Sequence, residues 1–198
     1  GAGMQQALAY AEILDIPFVY SSNGDGFIEH DRTKSSGTIE QELSIDNFPT
    51  PEELYDRYKK WKNITDSEET IINQDYFYEA NGKEPHYFQR VATNRVIESV
   101  AKGGNRILLV MATGTGKTFV ASQIIWRLWK SGKKKRILFL ADRNILVDQA
   151  KTNDFKQFED KMTKITNHQV DKSYEIYLAL YQGISGIEDT RNIYKQFS

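Results

Sequence analysis

The sequence predicts an α/β fold: a parallel sheet covered by helices on both faces in the second half of the chain, with a smaller mixed piece ahead of it. Two observations carry this. Three near-continuous apolar, β-prone stretches, 106–111, 136–141 and 175–181, alternate with helical patterns. Strands apolar on both faces are buried on both faces, and alternation with helices makes the sheet parallel. The first stretch also runs into Met111-Ala-Thr-Gly-Thr-Gly-Lys-Thr118, a glycine-rich turn that opens a helical pattern. Strand, glycine-rich turn and helix start is the context of a phosphate-binding loop.

From the N-terminus, residues 5–14 predict a helix with Leu8, Ala11, Ile13 and Leu14 as its apolar positions. Ile16-Pro17 ends it. Residues 18–20 predict a short strand, Asn23-Gly24-Asp25-Gly26 a hairpin turn, and 27–31 the returning strand. Residues 32–49 are polar without a period. Thr50 (N-cap), Pro51 (first turn) and Glu53 start a helix that runs to Trp61. Residues 63–84 are acidic with aromatic patches and predict no element; the main boundary falls there. From Pro85 the texture changes, with helices expected at 87–101, 118–129 and 144–155 between the three strands. No internal repeat or low-complexity tract interrupts them.

The 198 residues suffice for one full core or one core plus part of another. A hydrophobic share of 39% with 27% charged residues suits a globular chain. The absence of cysteine excludes disulfides and Cys-based zinc sites. No apolar run approaches the roughly 20 residues of a membrane span, and the start lacks the basic and apolar regions of a secretory signal. Cytoplasmic localisation without membrane contact is the expectation. The net charge of −1 hides a division. Residues 1–84 carry 7 Lys/Arg against 17 Asp/Glu, and residues 85–198 carry 19 against 10. A basic half that also holds the phosphate loop suggests a polyanionic partner beyond the nucleotide. The run Lys133-Lys134-Lys135-Arg136 suits a solubilising turn and a DNA contact equally.

In the loop, Gly114 and Gly116 let the backbone N–H groups of 112–118 (Ala112, Thr113, Thr115 and their neighbours) close around phosphate oxygens. Lys117 is placed to reach the β/γ-phosphates of ATP, and the Thr118 hydroxyl to hold Mg²⁺. Met111 stands where the general pattern has Gly, which points away from kinase-like and G-protein-like loops. Gln89 lies 28 positions before Lys117. Its amide can pair at two points with adenine and so select ATP over GTP. Arg143 and Asn144 follow the second strand at its carboxyl end, where open α/β sheets bind ligands, and Arg143 suits a nucleic-acid phosphate. A helix start with a paired Asp142–Arg143 is the alternative. Tyr181 and Gln182 end the third strand in the same layer and are DNA-contact candidates, with core packing the alternative for Tyr181.

The order Gln89, Met-Ala-Thr-Gly-Thr-Gly-Lys-Thr, Leu-Ala-Asp-Arg-x-x-Leu-x-x-Gln and Tyr-Gln resembles superfamily 2 helicase-like motors, and more narrowly the R (restriction) subunit of type I restriction enzymes. That family's Q motif usually has Arg at the position of His86 and Tyr at that of Phe88. Gln6 and Tyr10 form Gln-x-x-x-Tyr on the first helix, with both side chains on one face. The pattern resembles the motif that follows the catalytic carboxylates and lysine of RecB-like nuclease domains, including that of the R subunit.

The resemblance implies residues 1–35 as the end of such a nuclease domain, 36–84 as a linker with a helix, and 85–198 as an incomplete first RecA-like motor lobe. It implies ATP and Mg²⁺ as cofactors, duplex DNA as substrate, and the methylation (M) and specificity (S) subunits as partners. The implied activity is ATP-driven translocation along duplex DNA before cleavage. No Asp…Glu-x-Lys set and no Asp-Glu-x-His motif occurs in these residues, so the chain is expected to be an internal piece of a longer protein, inactive by itself. Three alternatives stay open: a helicase or repair translocase without nuclease, a type III restriction subunit, and a module that binds ATP without hydrolysing it.

Overall fold

The computed structural model describes residues 2–79, 82, 84–143, 147, 148, 150–166 and 170–184. They form two compact units, 1–65 and 66–198.

In the first unit, helix α1 (Ala2–Leu14) packs on an antiparallel sheet of β1 (Phe18–Ser22), β2 (Gly26–Asp31) and β3 (Glu40–Ser44), in that order. The buried face of α1 is Met4, Ala7, Leu8 and Ala11, packed with Val19. Ile13, expected inside, is largely exposed. The β1–β2 hairpin forms where Asn23-Gly-Asp-Gly predicted it. The Asn23 side-chain oxygen accepts from the N–H groups of Asp25 and Gly26, and Gly24 takes a positive φ of 100°. Strand β3 comes from a stretch with no periodicity. It is an edge strand mostly exposed on both faces, so nothing selects an alternating pattern. Helix α2 (Pro51–Lys62) follows with the capping box its sequence predicts: Thr50 accepts from the Glu53 N–H, and the Glu53 carboxylate from the Thr50 N–H.

Arg57 of α2 ties this helix to the sheet. Its guanidinium donates to Glu29 at 2.7 Å and to Asp31 at 2.7 Å, both carboxylates being almost completely buried. Tyr20 and Gln41 also donate to Glu29, and Thr33 to Asp31. Burial works to raise both carboxylate pKa values. The hydrogen bonds from Arg57 and its neighbours outweigh it and hold both below the usual carboxylate range.

The second unit begins with α3 (Asp66–Ile72), then α4 (Tyr87–Ala101) and α5 (Lys117–Lys130). Its sheet is parallel, in the order β4 (Ile137–Ala141), β6 (Ile176–Leu180), β5 (Met162–Lys164). Strand β6 is central and apolar on both faces. Ile176 and Leu178 face a core with Ile125 of α5, Phe155 and Phe158; Tyr177 and Ala179 face a second core with Ile165 and Ile184. Among the described residues this second face is covered by Ile165, Val170, Tyr174 and a helical turn, Tyr181–Ile184, rather than by a long helix.

Two expectations need correction. Residues 106–111 form no strand: they take no regular structure and pair with no strand among the described residues, and Leu108 and Val110 are 87% and 83% exposed. Apolar, β-branched composition permits a strand, but a strand exists only beside a neighbour about 4.8 Å away. Strand β6 is flanked on both sides by β4 and β5, and neither offers its outer edge to this segment among the described residues. The helix expected over 144–155 is seen at Val147 and Asp148, then widens into a π-helical turn, Ala150–Asp154, followed by a tighter 3-10 stretch, Lys156–Lys161. Residues 144–146 and 149 lie outside the described residues.

Candidate nucleotide and nucleic-acid site

The phosphate loop closes on itself through short local bonds. The Thr115 hydroxyl donates to the Ala112 carbonyl at 2.7 Å, and Lys117 Nζ donates to the same carbonyl at 3.0 Å. Gly114 and Gly116 take φ values of 79° and 80°, a region costly to any residue with a Cβ. Helix α5 therefore starts from a left-handed Gly116 with no side-chain cap, whereas α2 has a full capping box. The first N–H groups of a helix have no partner within it and carry its positive end. In α5 they open onto a cavity of about 1020 Å³ lined by Gly114–Phe119 together with Glu84, His86, Phe88, Gln89 and Asp154. That volume accommodates a nucleoside triphosphate.

Gln89 is brought to the loop, as the sequence predicts, but by contacts that the sequence does not reveal. The side chain is 6% exposed. Its oxygen accepts from the His86 N–H at 2.9 Å, and its amide nitrogen donates to the Thr115 carbonyl at 2.8 Å. A Cβ on Gly116 would lie 2.6 Å from that nitrogen. Gly116 therefore serves twice: it allows the left-handed turn and leaves room for Gln89. His86 and Phe88, the two departures from the resembled Q motif, stack with ring centres 5.6 Å apart and planes 12° from parallel.

The DNA-contact candidates gather at one edge. Ala141 of β4 pairs in register with Leu180 of β6, so Arg143 and Tyr181 leave neighbouring parallel strands at the same carboxyl end. Arg143 is exposed and meets Asp142 only loosely, at 3.9 Å. Tyr181 is 63% exposed and Gln182 is exposed, which removes core packing as the role of Tyr181. Asn144 lies outside the described residues. In the first unit, Gln6 and Tyr10 share an exposed face of α1, joined by a 3.2 Å bond from the Gln6 amide to the Tyr10 hydroxyl. Thr118, the metal-ligand candidate, lines this cavity, and no cluster of three metal-ligating side chains occurs among the described residues. No described helix is long and apolar enough to cross a membrane.

Polar residues inside α5 were not singled out by sequence. Gln123 holds the backbone of Phe77 at both its N–H and carbonyl, at 2.9 and 3.1 Å. The buried Arg127 donates to Asn94 of α4 at 2.7 Å and to the Ile72 carbonyl, and lies 4.7 Å over the Tyr76 ring. Residues 72–77 are thereby strapped across α4 and α5. The signal was present: Gln123 and Arg127 sit one turn apart among Ile124, Ile125 and Leu128.

Residues 82–198, more than half of the chain, match the family model described as type III restriction enzyme, res subunit. The chain belongs to this restriction-enzyme family. It is 54% identical over 197 residues to the type I restriction enzyme EcoAI endonuclease subunit of Escherichia coli, covering 99% of this chain and 24% of that protein. The EcoKI endonuclease subunit of Escherichia coli K12 is 34% identical over 171 residues, 81% of this chain and 13% of the relative. A solved fragment of an HsdR subunit of a type I restriction enzyme from Vibrio vulnificus YJ016 superposes with a TM-score of 0.76 at 42% identity, covering 98% of this chain and 34% of that one. The similarity to type I R subunits read from the motifs is shown, and it extends upstream of the helicase-like region to nearly the whole chain.

Proposed function

We propose that this chain is part of the motor and endonuclease subunit of a type I restriction-modification system, in which ATP binding and hydrolysis drive duplex DNA through the protein before cleavage. The observation that carries the reading is the uncapped start of α5 behind Gly116 and Lys117, opening on a cavity of nucleotide size. The backbone N–H groups of 112–118 would take the phosphates. Lys117 would exchange the carbonyls of Met111 and Ala112, which it now contacts, for phosphate oxygens. Bound Mg²⁺ would supply charge neutralisation at the β/γ-phosphates, with Thr118 as its ligand in this chain. Gln89 belongs to the site as the residue holding Thr115 in place. Adenine recognition by the same amide would use its second N–H and second lone pair, since His86 and Thr115 occupy one of each.

Arg143, Asn144, Tyr181 and Gln182 would contact the DNA backbone from the carboxyl edge of the sheet. Residues 1–35, with Gln6 and Tyr10, would close a nuclease domain, 36–84 would link it to the motor, and the motor lobe would occupy 85–198. The M and S subunits are the proposed partners and the cytoplasm the proposed compartment. Similarity to type I subunits upstream of residue 82 favours this over a type III subunit or a nuclease-free translocase. In the full-length subunit, Lys117→Ala should abolish ATPase and translocation while leaving DNA binding intact. Turnover surviving that change would remove the phosphate-loop assignment. ATP binding without turnover in the unaltered subunit would favour the non-hydrolysing module.

A further inference from the structure

The far end of α5 carries a second concavity, of about 500 Å³, lined by Lys130, Lys135, Arg136 and Lys172 with Trp129 and Glu175 among the other wall residues. It lies at the amino edge of the sheet, because Ile137 and Ile176, the first residues of β4 and β6, are in register. The nucleotide cavity sits at the other end of α5. A helix of 14 residues separates the two by about 20 Å, at 1.5 Å per residue.

The four cations are exposed, and none of them has a carboxylate partner among the described residues. Glu175, the one acid of the wall, already accepts from the Trp129 indole N–H at 2.7 Å. Lys130 lies over the Trp126 and Trp129 rings, 4.9 and 5.3 Å from their centres. Of the basic run, Lys133 is directed instead to the Ala101 carbonyl at the end of α4. Of the aromatic wall residues, Trp129 is covered by Lys130 and Tyr174 packs on the second core, so the hollow concentrates positive charge with one engaged acid.

We infer that this concavity is a second contact for the phosphodiester backbone of duplex DNA, separate from the carboxyl-edge residues Arg143, Tyr181 and Gln182. Protein interfaces centre on aromatic or apolar anchors and are depleted of lysine. Here three of the four cations are lysines, and the one tryptophan of the wall is covered by Lys130 and bonded to Glu175. Long, exposed, unpaired lysines and an arginine are the groups that neutralise phosphates, and they bind without reading sequence. A duplex touching both edges of the lobe would be held at two places a helix length apart.

The test uses the full-length subunit carrying Lys135→Glu and Arg136→Glu, and in parallel Lys130→Gln with Lys172→Gln. Affinity for a fluorescein-labelled duplex is measured by anisotropy across a salt series. Neutralising two phosphate contacts should make the slope of log K against log salt shallower by about 2, since each contact contributes about 0.9. ATP affinity and melting temperature should not change. An unaltered slope in both variants overturns the inference. So does an unaltered slope accompanied by lost binding of companion subunits, which would assign the hollow to an acidic protein face. A loss confined to single-stranded oligonucleotides also overturns it. The outcome is independent of the motor reading: Lys117→Ala tests ATP turnover and should leave this slope intact.

Discussion

Replacing Gln89 by Ala separates two roles for one side chain. In the structure both halves of the amide are used inside the protein, by the His86 N–H and the Thr115 carbonyl. Each neutral hydrogen bond contributes about 1 kcal/mol net. Losing both releases Thr115, and through it the loop that must be in place before a phosphate arrives. A loss of about 2 kcal/mol in loop order corresponds to roughly 30-fold weaker nucleotide binding, at 1.4 kcal/mol per decade. Because the loss falls on the phosphate end, ATP and GTP should weaken together, their affinity ratio changing by less than about threefold. Gln89→Glu keeps the acceptor for His86 but sets a carboxylate against the Thr115 carbonyl, so it should not restore binding. Titration calorimetry with ATP and GTP on the full-length subunit measures both constants. If GTP affinity stays constant while ATP affinity falls 30-fold, the amide reads adenine and the loop-holding argument is wrong.

Further outcomes follow from the same structure. Gly116→Ala meets both a positive φ, costing about 1 kcal/mol or more, and the Gln89 nitrogen at 2.6 Å, so ATP affinity should drop at least about tenfold with the melting point little changed. Arg57→Ala leaves Glu29 and Asp31 buried without their guanidinium, and should cost about 3 kcal/mol and lower the first unit's unfolding transition by roughly 12–24 °C at pH 7. The pH dependence carries a sign. With Arg57 present both carboxylates have depressed pKa values, so their contribution is complete above the unfolded values near pH 4 and is lost as pH falls through the folded ones. Without Arg57 only the bonds from Tyr20, Gln41 and Thr33 oppose burial, so both pKa values should rise from their present depressed level and the variant should lose less stability than the parent as pH falls; melting scans across the acid range decide it. Thr50→Ala removes the cap of α2 and should cost about 1 kcal/mol, read by denaturant unfolding. Gln123→Ala should free the Phe77 end of the 72–77 strap, seen as faster hydrogen exchange at the Phe77 amide, with an unchanged rate refuting the strap.

Local rules made much of this chain legible. Helix α4 spans the residues its periodicity predicts, and the Thr50 box is present bond for bond. The hairpin is announced by Asn-Gly and Asp-Gly. Strands β4 and β6 fall within one residue of the apolar runs that predict them. The failures share a physical cause: each depends on a partner distant in sequence. Residues 106–111 have strand composition without a neighbouring strand. Strand β3 has a neighbour but no composition to announce it. Arg57 sits on a helix of charged residues and reads as solvated until Glu29 and Asp31 arrive beneath it from the sheet. Spacing predicts Gln89 near the glycine-rich loop, where the structure has it, yet the bonds it makes, to His86 and Thr115, are visible only in three dimensions.

Helix α5 connects these observations. Its first turn carries Lys117 and Thr118 at the phosphate cavity. Its middle carries Gln123 and Arg127, which hold residues 72–77 and reach Asn94 on α4, the helix that also bears Gln89. Its last residue, Lys130, lines the basic hollow. A helix of this length packed on both α4 and the sheet core moves as a rod, since close-packed side chains do not deform continuously. On that basis a displacement of the loop at one end would carry the strap and the hollow with it. The cations of the hollow, Lys130, Lys135, Arg136 and Lys172, lie at the end of α5 away from Lys117. If phosphate binds at one end and DNA backbone at the other, Gln123 and Arg127 are the residues through which the two would be coupled. This coupling has a measurable signature, since Arg127→Ala should reduce the effect of ATP on duplex affinity more than it reduces either affinity alone.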